Sequence, residues 1–228
     1  MPALPQGNRM ATSVADPQRR LARFLQTKPR IILGSSSFGR RQIMDQLAAE
    51  HGFSYEVKTA DINEKAIRDP DPEKLVRLLA RAKREAIVAK MRAAGEELRG
   101  ILITCDQVVV HEDRVLEKPG SVDEAHDYIE GYGRSPASTV GAVVATDLVS
   151  GRAAEDVERA FIHFRPIPPE VRQQLVAEGQ VFYCAGGLMV EHPLVVPHIA
   201  RLEGSQCSVM GLPRQLVMRL MVEAAGVE

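Results

Sequence analysis

The first half of the chain alternates short apolar runs with segments whose apolar residues recur every three or four positions. Such runs indicate buried strands, and the recurring spacing indicates amphipathic helices. The runs at residues 31–33 and 101–103 predict two buried strands, and Ile43, Met44 and Leu47 predict a helix that follows the first of them. This order of strand and helix is typical of an α/β protein.

Four further helices are predicted where a residue typical of helix starts precedes an apolar stripe. Asp71 and Ser121 stand at N-cap positions, and Pro168 and Pro213 stand at the first turns of the other two. The helix after Asp71 is the longest, and Gly95 marks its end. Helices therefore recur along the whole chain and can cover a sheet.

The second half of the chain has a different pattern, with alternating polar and apolar residues rich in Val and Thr. Residues 138–147 and 156–164 predict long antiparallel strands. Residues 115–117 predict the return arm of a hairpin, 53–57 a further strand and 204–211 a loop. Together these elements predict an α/β fold with a mixed, twisted sheet flanked by helices, in two lobes around a central cleft.

Composition narrows the class of protein. The 228 residues carry a net charge of −1, with 45% hydrophobic and 26% charged residues, as in an ordinary globular domain. A nearly neutral chain is not expected to bind nucleic acid, and no apolar run approaches the roughly 20 residues of a membrane span. The three cysteines are scattered, which fits a reducing compartment and predicts a cytoplasmic protein.

The first 29 residues are predicted to be an N-terminal extension, flexible or partly helical around residues 18–26, and residues 30–228 a single domain of two lobes. Residues 1–30 hold six basic side chains and one acid, Asp16, with no apolar signal segment. A basic segment poor in acids also leaves organelle targeting open.

The segment from Ile31 to Arg41 carries the first chemical signal. An apolar run ends in Gly-Ser-Ser-Ser, and two arginines follow at the start of a helix. Ser35, Ser37, Arg40 and Arg41 would offer hydroxyls, helix N–H groups and guanidinium forks to phosphate oxygens. The plainer interpretation is a helix cap followed by a solvated first turn. Neither a P-loop nor a dinucleotide fingerprint is present.

Two acids and two lysines are further candidates. Asp106 follows a buried strand, where it is predicted to stand at the carboxyl end, and a carboxylate there can bind a divalent metal or take a proton from water. Glu64, in a loop, can complete a magnesium site with it. Lys83 lies beside the apolar stripe of the long helix, and Lys118 precedes Pro119. Each also has a plain alternative as a turn or surface residue.

These signals occur in an order and spacing that resembles the Maf family, the nucleoside triphosphate pyrophosphatases also linked to septum formation. The resemblance runs from about residue 30 to residue 221. Its specific points are residues 35–41, 61–64, 79–83, 105–109, 117–119 and 204–213. One departure is the pair Phe38-Gly39, which stands where many family members have a proline after the serines.

The resemblance implies an inosine triphosphate pyrophosphatase-like fold and hydrolysis between the α and β phosphates of a nucleoside triphosphate, giving the monophosphate and pyrophosphate. It assigns Ser35, Arg40 and Arg41 to the phosphate-binding turn and four further residues to the catalytic cleft. The cleft residues are Glu64, Lys83, Asp106 and Lys118. Asp106 would activate water, and Asp106 and Glu64 would hold Mg²⁺ or Mn²⁺. The resemblance also suggests a homodimer.

Two positions bear on the base of the nucleotide. Gln107 and Glu191 resemble the branch of the family that acts on 7-methylguanosine triphosphate, whereas the branch that acts on thymidine and uridine triphosphates usually has Thr and Gln there. The methylated guanine is cationic and offers N–H donors, which a carboxylate complements. Pyrimidine triphosphates remain the alternative. Aromatic residues are only 4% of the chain, so selectivity is expected from hydrogen bonds and charge.

Three classes of function remain. The first is an enzyme that removes unwanted or modified nucleotides from the pool. The second is a nucleotide-binding regulator of cell division without catalytic activity. The third is a glycoside or phosphate-ester hydrolase that uses Asp106 and Glu64 as an acid–base pair. Presence of both carboxylates favours catalysis, because a sensor has no need to activate water.

Overall fold

The structure is a computed structural model that describes residues 16–227. Within that range, seven strands and seven α-helices alternate along the chain. The strands are β1 (Ile31–Gly34), β2 (Glu56–Val57), β3 (Ile101–His111), β4 (Arg114–Leu116), β5 (Ala137–Asp147), β6 (Ala153–Phe164) and β7 (Ile199–Glu203). The helices are α1 (Pro17–Gln26), α2 (Phe38–His51), α3 (Pro72–Ala93), α4 (Val122–Gly131), α5 (Pro169–Glu178), α6 (Gln206–Val209) and α7 (Arg214–Ala225).

All strands of the described chain join one mixed sheet in the order β2-β1-β3-β5-β6-β7, with β4 paired to β3. The pairs of β1 with β2 and β3 are parallel, and the pairs from β3 through β7 are antiparallel. Helices cover both faces of the sheet, as described below. The prediction of an α/β fold with a mixed sheet flanked by helices is confirmed.

Strand β3 is longer than predicted, and its length changes the position of Asp106 in the sheet. Asp106 was predicted to follow a strand, but it lies inside β3, opposite Ala142 of β5. The strand continues because β5 pairs with it along nearly its whole length. Strand β1, in contrast, ends at Gly34 opposite Thr104. Asp106 therefore lies just beyond the end of β1, where the sheet opens into a cleft.

Strand β5 forms the centre of the core, because ten of its residues are buried on both faces of the sheet. On one face Val140 and Val144 pack against α3, whose side chains include Leu75 and Val76. On the other face Val143 belongs to the cluster that also contains residues of α2 and α7. A second cluster, between α4, α5 and the far end of β6, covers the other end of the sheet.

Two of the four predicted helix starts, at Asp71 and Ser121, have the predicted side-chain caps. The Asp71 carboxylate accepts hydrogen bonds from the first-turn N–H groups of α3, and the Ser121 hydroxyl accepts one from the backbone N–H of Glu124. Three details were wrong. Strand β2 has two residues where five were predicted, the predicted loop at 204–211 contains α6, and β7 was not predicted. All three elements are short, and the strands β2 and β7 pair with strands that are distant in sequence.

Part of the predicted N-terminal extension belongs to the core. Leu21 and Phe24 of α1 are buried in the same cluster as α7. The guanidinium of Arg20 donates two hydrogen bonds to the carbonyl oxygen of Val227, at 2.9 and 2.6 Å. Residues 1–15 lie outside the described residues. None of the helices between residues 16 and 227 has the length and apolar character needed to cross a bilayer.

Tyr132, which follows α4, anchors a loop that borders the cleft. Its ring is buried and stacks on Phe164, with the ring centroids 5.6 Å apart. Its hydroxyl donates a hydrogen bond of 2.5 Å to the carbonyl oxygen of Gly186. Gly186 has a positive φ of 62°, and a side chain there would meet this hydroxyl. The tyrosine thus holds the 3₁₀ turn Ala185–Gly187 against α4.

The Tyr132→Phe substitution is expected to lower the free energy of unfolding by about 1–3 kcal/mol, because it leaves the buried Gly186 carbonyl without its donor. Urea denaturation measures the change. The control is Tyr55→Phe, since the Tyr55 hydroxyl contacts Asp45 at an exposed position and little stability depends on it. Equal losses in both variants would contradict the role given to the buried hydrogen bond.

Candidate active site

A cavity of about 740 Å³ opens where β1 ends and β3 continues. That volume is within the range of about 300–1,000 Å³ found for small-molecule sites. Nine of the residues predicted from the sequence line it together. They are Ser35, Ser37, Arg40, Glu64, Lys83, Asp106, Gln107, Lys118 and Glu191. Arg41 does not line the cavity. The structure therefore brings together residues from widely separated parts of the chain.

An ion cluster forms the floor of this cavity. The Lys83 Nζ atom lies 2.5 Å from Oδ1 of Asp106 and 2.8 Å from Oε1 of Glu64. Lys83 and Asp106 are nearly buried, with 12% and 8% of their side chains exposed, whereas Glu64 is 54% exposed. Oδ2 of Asp106 receives no hydrogen bond from the described residues. That oxygen is available to a water molecule in the cavity.

Burial and charge act in opposite directions on this pair. Burial raises the pKa of Asp106 above its usual range, although Lys83 and Arg40 oppose the shift. Burial by itself would lower the pKa of Lys83, but Asp106 and Glu64 hold it above its usual value. Lys83 therefore stays protonated, and Asp106 is a stronger base than an exposed aspartate.

Helix α3 is fixed against β3 close to this cluster. The Thr104 hydroxyl is fully buried and donates a hydrogen bond of 2.9 Å to the carbonyl oxygen of Ala80. Thr104 stands two residues before Asp106, and Ala80 stands three residues before Lys83. This bond ties the two elements at one point. It therefore sets the distance between the lysine and the aspartate.

The serine turn after β1, residues 35–37, both caps α2 and lines the cavity. The Ser37 hydroxyl accepts a hydrogen bond from the backbone N–H of Arg40 and caps α2. Ser35 is buried, and its hydroxyl accepts one from the backbone N–H of Ser37. The plain interpretation of a helix cap therefore holds for Ser37. Both hydroxyls still line the cavity.

The two adjacent arginines have different positions. Arg40 Nε donates to the carbonyl oxygen of Gly211 at 3.0 Å, and its Nη1 donates to that of Cys105 at 3.2 Å. Burial by itself would lower the pKa of Arg40, and the nearby Cys105, Asp106 and Glu64 raise it overall. Arg41 is exposed. Successive helix residues point about 100° apart, so only one of the two faces the cavity.

Gln107 is held by α6, the short helix that follows β7. Its Nε2 donates to the carbonyl oxygens of Ser208 and Val209 at 2.7 and 3.1 Å. A side chain at Gly211 would lie 2.9 Å from Gln107 Oε1 and 3.0 Å from Arg40 Nε. The amide donors of Gln107 are therefore engaged with backbone. Only its oxygen remains for a ligand.

Lys118 and Glu191 stand on the remaining wall of the cavity. Both side chains are exposed, and no described residue forms a salt bridge with Lys118. The backbone N–H of Gly186 donates to the carbonyl oxygen of Glu117 at 2.8 Å, which joins the two segments. Between them lies Cys184, whose pKa is raised by burial and by Glu191, against the effect of Lys118.

The charges around the cavity bear on metal binding. Of the described residues that line it, three are basic (Arg40, Lys83 and Lys118) and four are acidic (Asp61, Glu64, Asp106 and Glu191). No group of three or more His, Cys, Asp or Glu side chains within residues 16–227 is arranged to hold a metal. Mg²⁺ usually takes one or two carboxylates and completes its shell with water and phosphate oxygens. Asp106 and Glu64, which both contact the ammonium of Lys83, provide the two carboxylates that such an ion requires.

The residues that line the cavity without having been predicted as site residues include Asp61, Phe38 and Tyr183. Asp61 has a positive φ of 50° and forms a salt bridge with Lys90. Phe38 and Tyr183 are exposed aromatic residues that line the cavity. Their exposure depends on the fold, so no local pattern could reveal it. A second cavity, of about 660 Å³, lies along α4, and none of the predicted site residues, all of which the structure describes, lines it.

Comparison with known proteins finds a matching family and related chains. The sequence model of a family described as Maf-like protein matches residues 30–224. A relative from Dictyostelium discoideum named 7-methyl-GTP pyrophosphatase is 35% identical, over 86% of this chain and 97% of its own length. One from Alkalilimnicola ehrlichii with the same name is 31% identical, over 82% of this chain and 88% of its own. A dTTP/UTP pyrophosphatase from Dehalococcoides mccartyi is 28% identical, over 86% and 82%.

Proposed function

Because the chain belongs to the Maf-like protein family, we propose that it is a nucleoside triphosphate pyrophosphatase. The reaction is hydrolysis of the bond between the α and β phosphates, giving a nucleoside monophosphate and pyrophosphate. The names of the relatives described above support this activity. The observation in the structure that carries the proposal is Lys83, which joins the Asp106 and Glu64 carboxylates in a cavity lined by the serine turn.

This geometry supports a division of labour for phosphoanhydride cleavage, which needs an aligned water and charge stabilisation more than covalent chemistry. Asp106 accepts a proton from the attacking water through Oδ2. Lys83 orients Asp106 through Oδ1, at 2.5 Å. Lys118 is free to contact the phosphates, because no described residue forms a salt bridge with it.

Arg40, which is half-buried, contributes mainly its positive charge, since two of its donors are engaged by carbonyl oxygens. Ser35 and Ser37 present hydroxyls to the phosphate chain at the other side of the cavity. Asp106 and Glu64 would hold a Mg²⁺ or Mn²⁺ ion, which when bound neutralises charge on the phosphates. The excess of acids over bases in the lining supports the proposal that such an ion takes part in binding a triphosphate.

The proposed function is tested with a panel of triphosphates, including 7-methyl-GTP, GTP, dTTP and UTP, in the presence of Mg²⁺ or Mn²⁺. The expected products are pyrophosphate and the monophosphate in equal amounts. Release of orthophosphate would favour a phosphate-ester hydrolase instead. Binding of a triphosphate without any product would favour a nucleotide sensor. Omission of the metal or addition of EDTA is expected to abolish turnover.

We further propose 7-methyl-GTP as the preferred substrate. Glu191 is an exposed carboxylate on the cavity wall, near Lys118 and Cys184. A carboxylate complements both the positive charge of N7-methylated guanine and its N–H donors. A uracil or thymine base would leave it partly unpaired. Pyrimidine triphosphates are the second candidate, favoured by the relative named dTTP/UTP pyrophosphatase.

The Glu191→Gln substitution is expected to lower kcat/KM for 7-methyl-GTP by about tenfold or more, because it removes a charge-assisted hydrogen bond. The loss for UTP is expected to be smaller. Steady-state kinetics on both substrates measure the difference, and Glu170→Gln, an exposed acid at the start of α5, is the control. Equal losses on both substrates would remove the case for Glu191 as the residue that contacts the base.

A further inference from the structure

Two aromatic side chains of the cavity are strongly exposed. The exposed fractions of Phe38 and Tyr183 are 75% and 79%, the former at the start of α2 and the latter at the end of the 3₁₀ turn Gln180–Tyr183. Exposure of a large ring to water costs hydrophobic free energy that burial would recover. Aromatic rings that face a ligand cavity in this way are surfaces on which a flat ligand can stack.

Tyr183 differs from the other tyrosines in its contacts. All four tyrosines of the chain lie in the described part. The hydroxyls of Tyr55, Tyr128 and Tyr132 donate hydrogen bonds to Asp45, Glu124 and Gly186, respectively. The Tyr183 hydroxyl forms no hydrogen bond with any residue between 16 and 227, and its ring is the most exposed of the large apolar side chains there. It therefore has no evident role in holding the fold together.

The position of Tyr183 puts it at the end of the cavity predicted to hold the base. It precedes Cys184, which is close enough to Glu191 and Lys118 for both to affect its pKa. Phe38 stands beside the serine turn instead, directly after the cap residue Ser37. The two rings thus border one cavity, Tyr183 close to the carboxylate proposed to contact the base and Phe38 beside the hydroxyls proposed to bind the phosphates.

We propose that the Tyr183 ring stacks on the nucleobase and makes the site selective for a cationic purine, with Glu191 contacting the edge of the base. This inference rests on the proposed function and extends it to a specificity residue. An aromatic face attracts a cation placed over it, and methylation at N7 gives guanine a positive charge. The Tyr183 ring would then contact the face of the positively charged base, and the Glu191 carboxylate would contact its edge. The low aromatic content does not prevent such recognition, because one well-placed ring is sufficient.

The experiment compares the binding of 7-methyl-GMP and GMP, which differ only by the methyl group and its charge. Isothermal titration calorimetry gives Kd for the parent and for the Tyr183→Ala, Tyr183→Phe and Phe38→Ala variants, without any need for catalysis. The parent is expected to favour 7-methyl-GMP. Loss of the ring in Tyr183→Ala is expected to weaken binding of 7-methyl-GMP by about 5- to 150-fold, with a smaller loss for GMP.

Tyr183→Phe keeps the ring and is expected to keep the preference. Phe38→Ala, the matched control with an equally exposed ring on the same cavity, is expected to keep it as well. A parent that does not favour 7-methyl-GMP, or a Tyr183→Ala variant that retains the parent preference, would overturn the proposal. Loss of the preference for 7-methyl-GMP in Phe38→Ala rather than in Tyr183→Ala would overturn it as well. Pyrophosphate release from the triphosphate panel decides the proposed function separately, and circular dichroism confirms that the variants are folded.

Discussion

Replacement of Asp106 by asparagine is expected to lower kcat for the best triphosphate by about 10²–10⁴-fold, the usual contribution of a general base. The substitution keeps the size and shape of a residue that lies inside β3, and the ammonium of Lys83 keeps Glu64 as a carboxylate partner at 2.8 Å. The fold should therefore survive, while the group that takes the proton from water is lost. Initial rates of pyrophosphate release under saturating substrate measure the effect.

The control for this prediction is Asp113→Asn. Asp113 lies in the turn between β3 and β4 and has a positive φ of 60°, which asparagine adopts readily. It does not line the cavity, so parent activity is expected. A titration of the Asp106→Asn variant with Mn²⁺ separates the two roles given to Asp106. Recovery of the rate at high Mn²⁺ concentration would assign Asp106 to metal binding. An Asp106→Asn variant that keeps most of the parent rate would refute the assignment of Asp106.

Replacement of Lys83 by methionine is expected to lower kcat by about 10²–10³-fold, comparable to the loss of one preorganised donor at an active site. Methionine keeps most of the apolar stem but removes the ammonium that joins Asp106 and Glu64. The carboxylates would then repel each other, and the buried one would lose its ion-pair partner and keep only the more distant charge of Arg40. Breaking a buried pair in this way costs up to about 3–5 kcal/mol of folding stability.

The stability loss in Lys83→Met is expected to depend on pH. Burial already raises the pKa of Asp106, and loss of Lys83 would raise it further above that of the unfolded chain. The folded state then binds more protons than the unfolded state between these two pKa values, so stability falls as the pH rises through this interval. Urea denaturation in metal-free buffer at about pH 5 and about pH 8 is expected to show the larger loss at the higher pH.

Two further variants make this prediction specific. The double variant Lys83→Met with Asp106→Asn is expected to recover much of the stability, because the buried charge is then absent. Lys74→Met, on the same helix, is the control: its ammonium lies 4.0 Å from Asp71 at an exposed position, and such pairs contribute little. A Lys83→Met variant as stable as Lys74→Met at both pH values would contradict the picture of a buried, paired carboxylate.

Sequence reasoning identified most of the fold and of the candidate site because these depend on local patterns. Apolar periodicity and cap residues predicted the helices after Asp71 and Ser121, and both caps are present. The residue types of a phosphate and metal site were recognisable in chain order. Short elements such as β7 were missed, since five residues with mixed exposure carry little periodic signal.

The directions and contacts of the side chains in the candidate site depend on contacts between segments that are distant in sequence. The amino-acid order determined that serines, arginines, lysines and acids occur at particular points, and it related them to a family. Only packing determined that Arg40 faces Cys105 while Arg41 faces solvent, and that the Gln107 amide is held by the 208–209 backbone. The exposure of Tyr183 at the cavity likewise depends on the fold around it, since the turn that follows it, Ala185–Gly187, is held by Tyr132. A helix or strand is specified by its neighbours in sequence, whereas the direction and freedom of a side chain depend on what the rest of the chain places beside it.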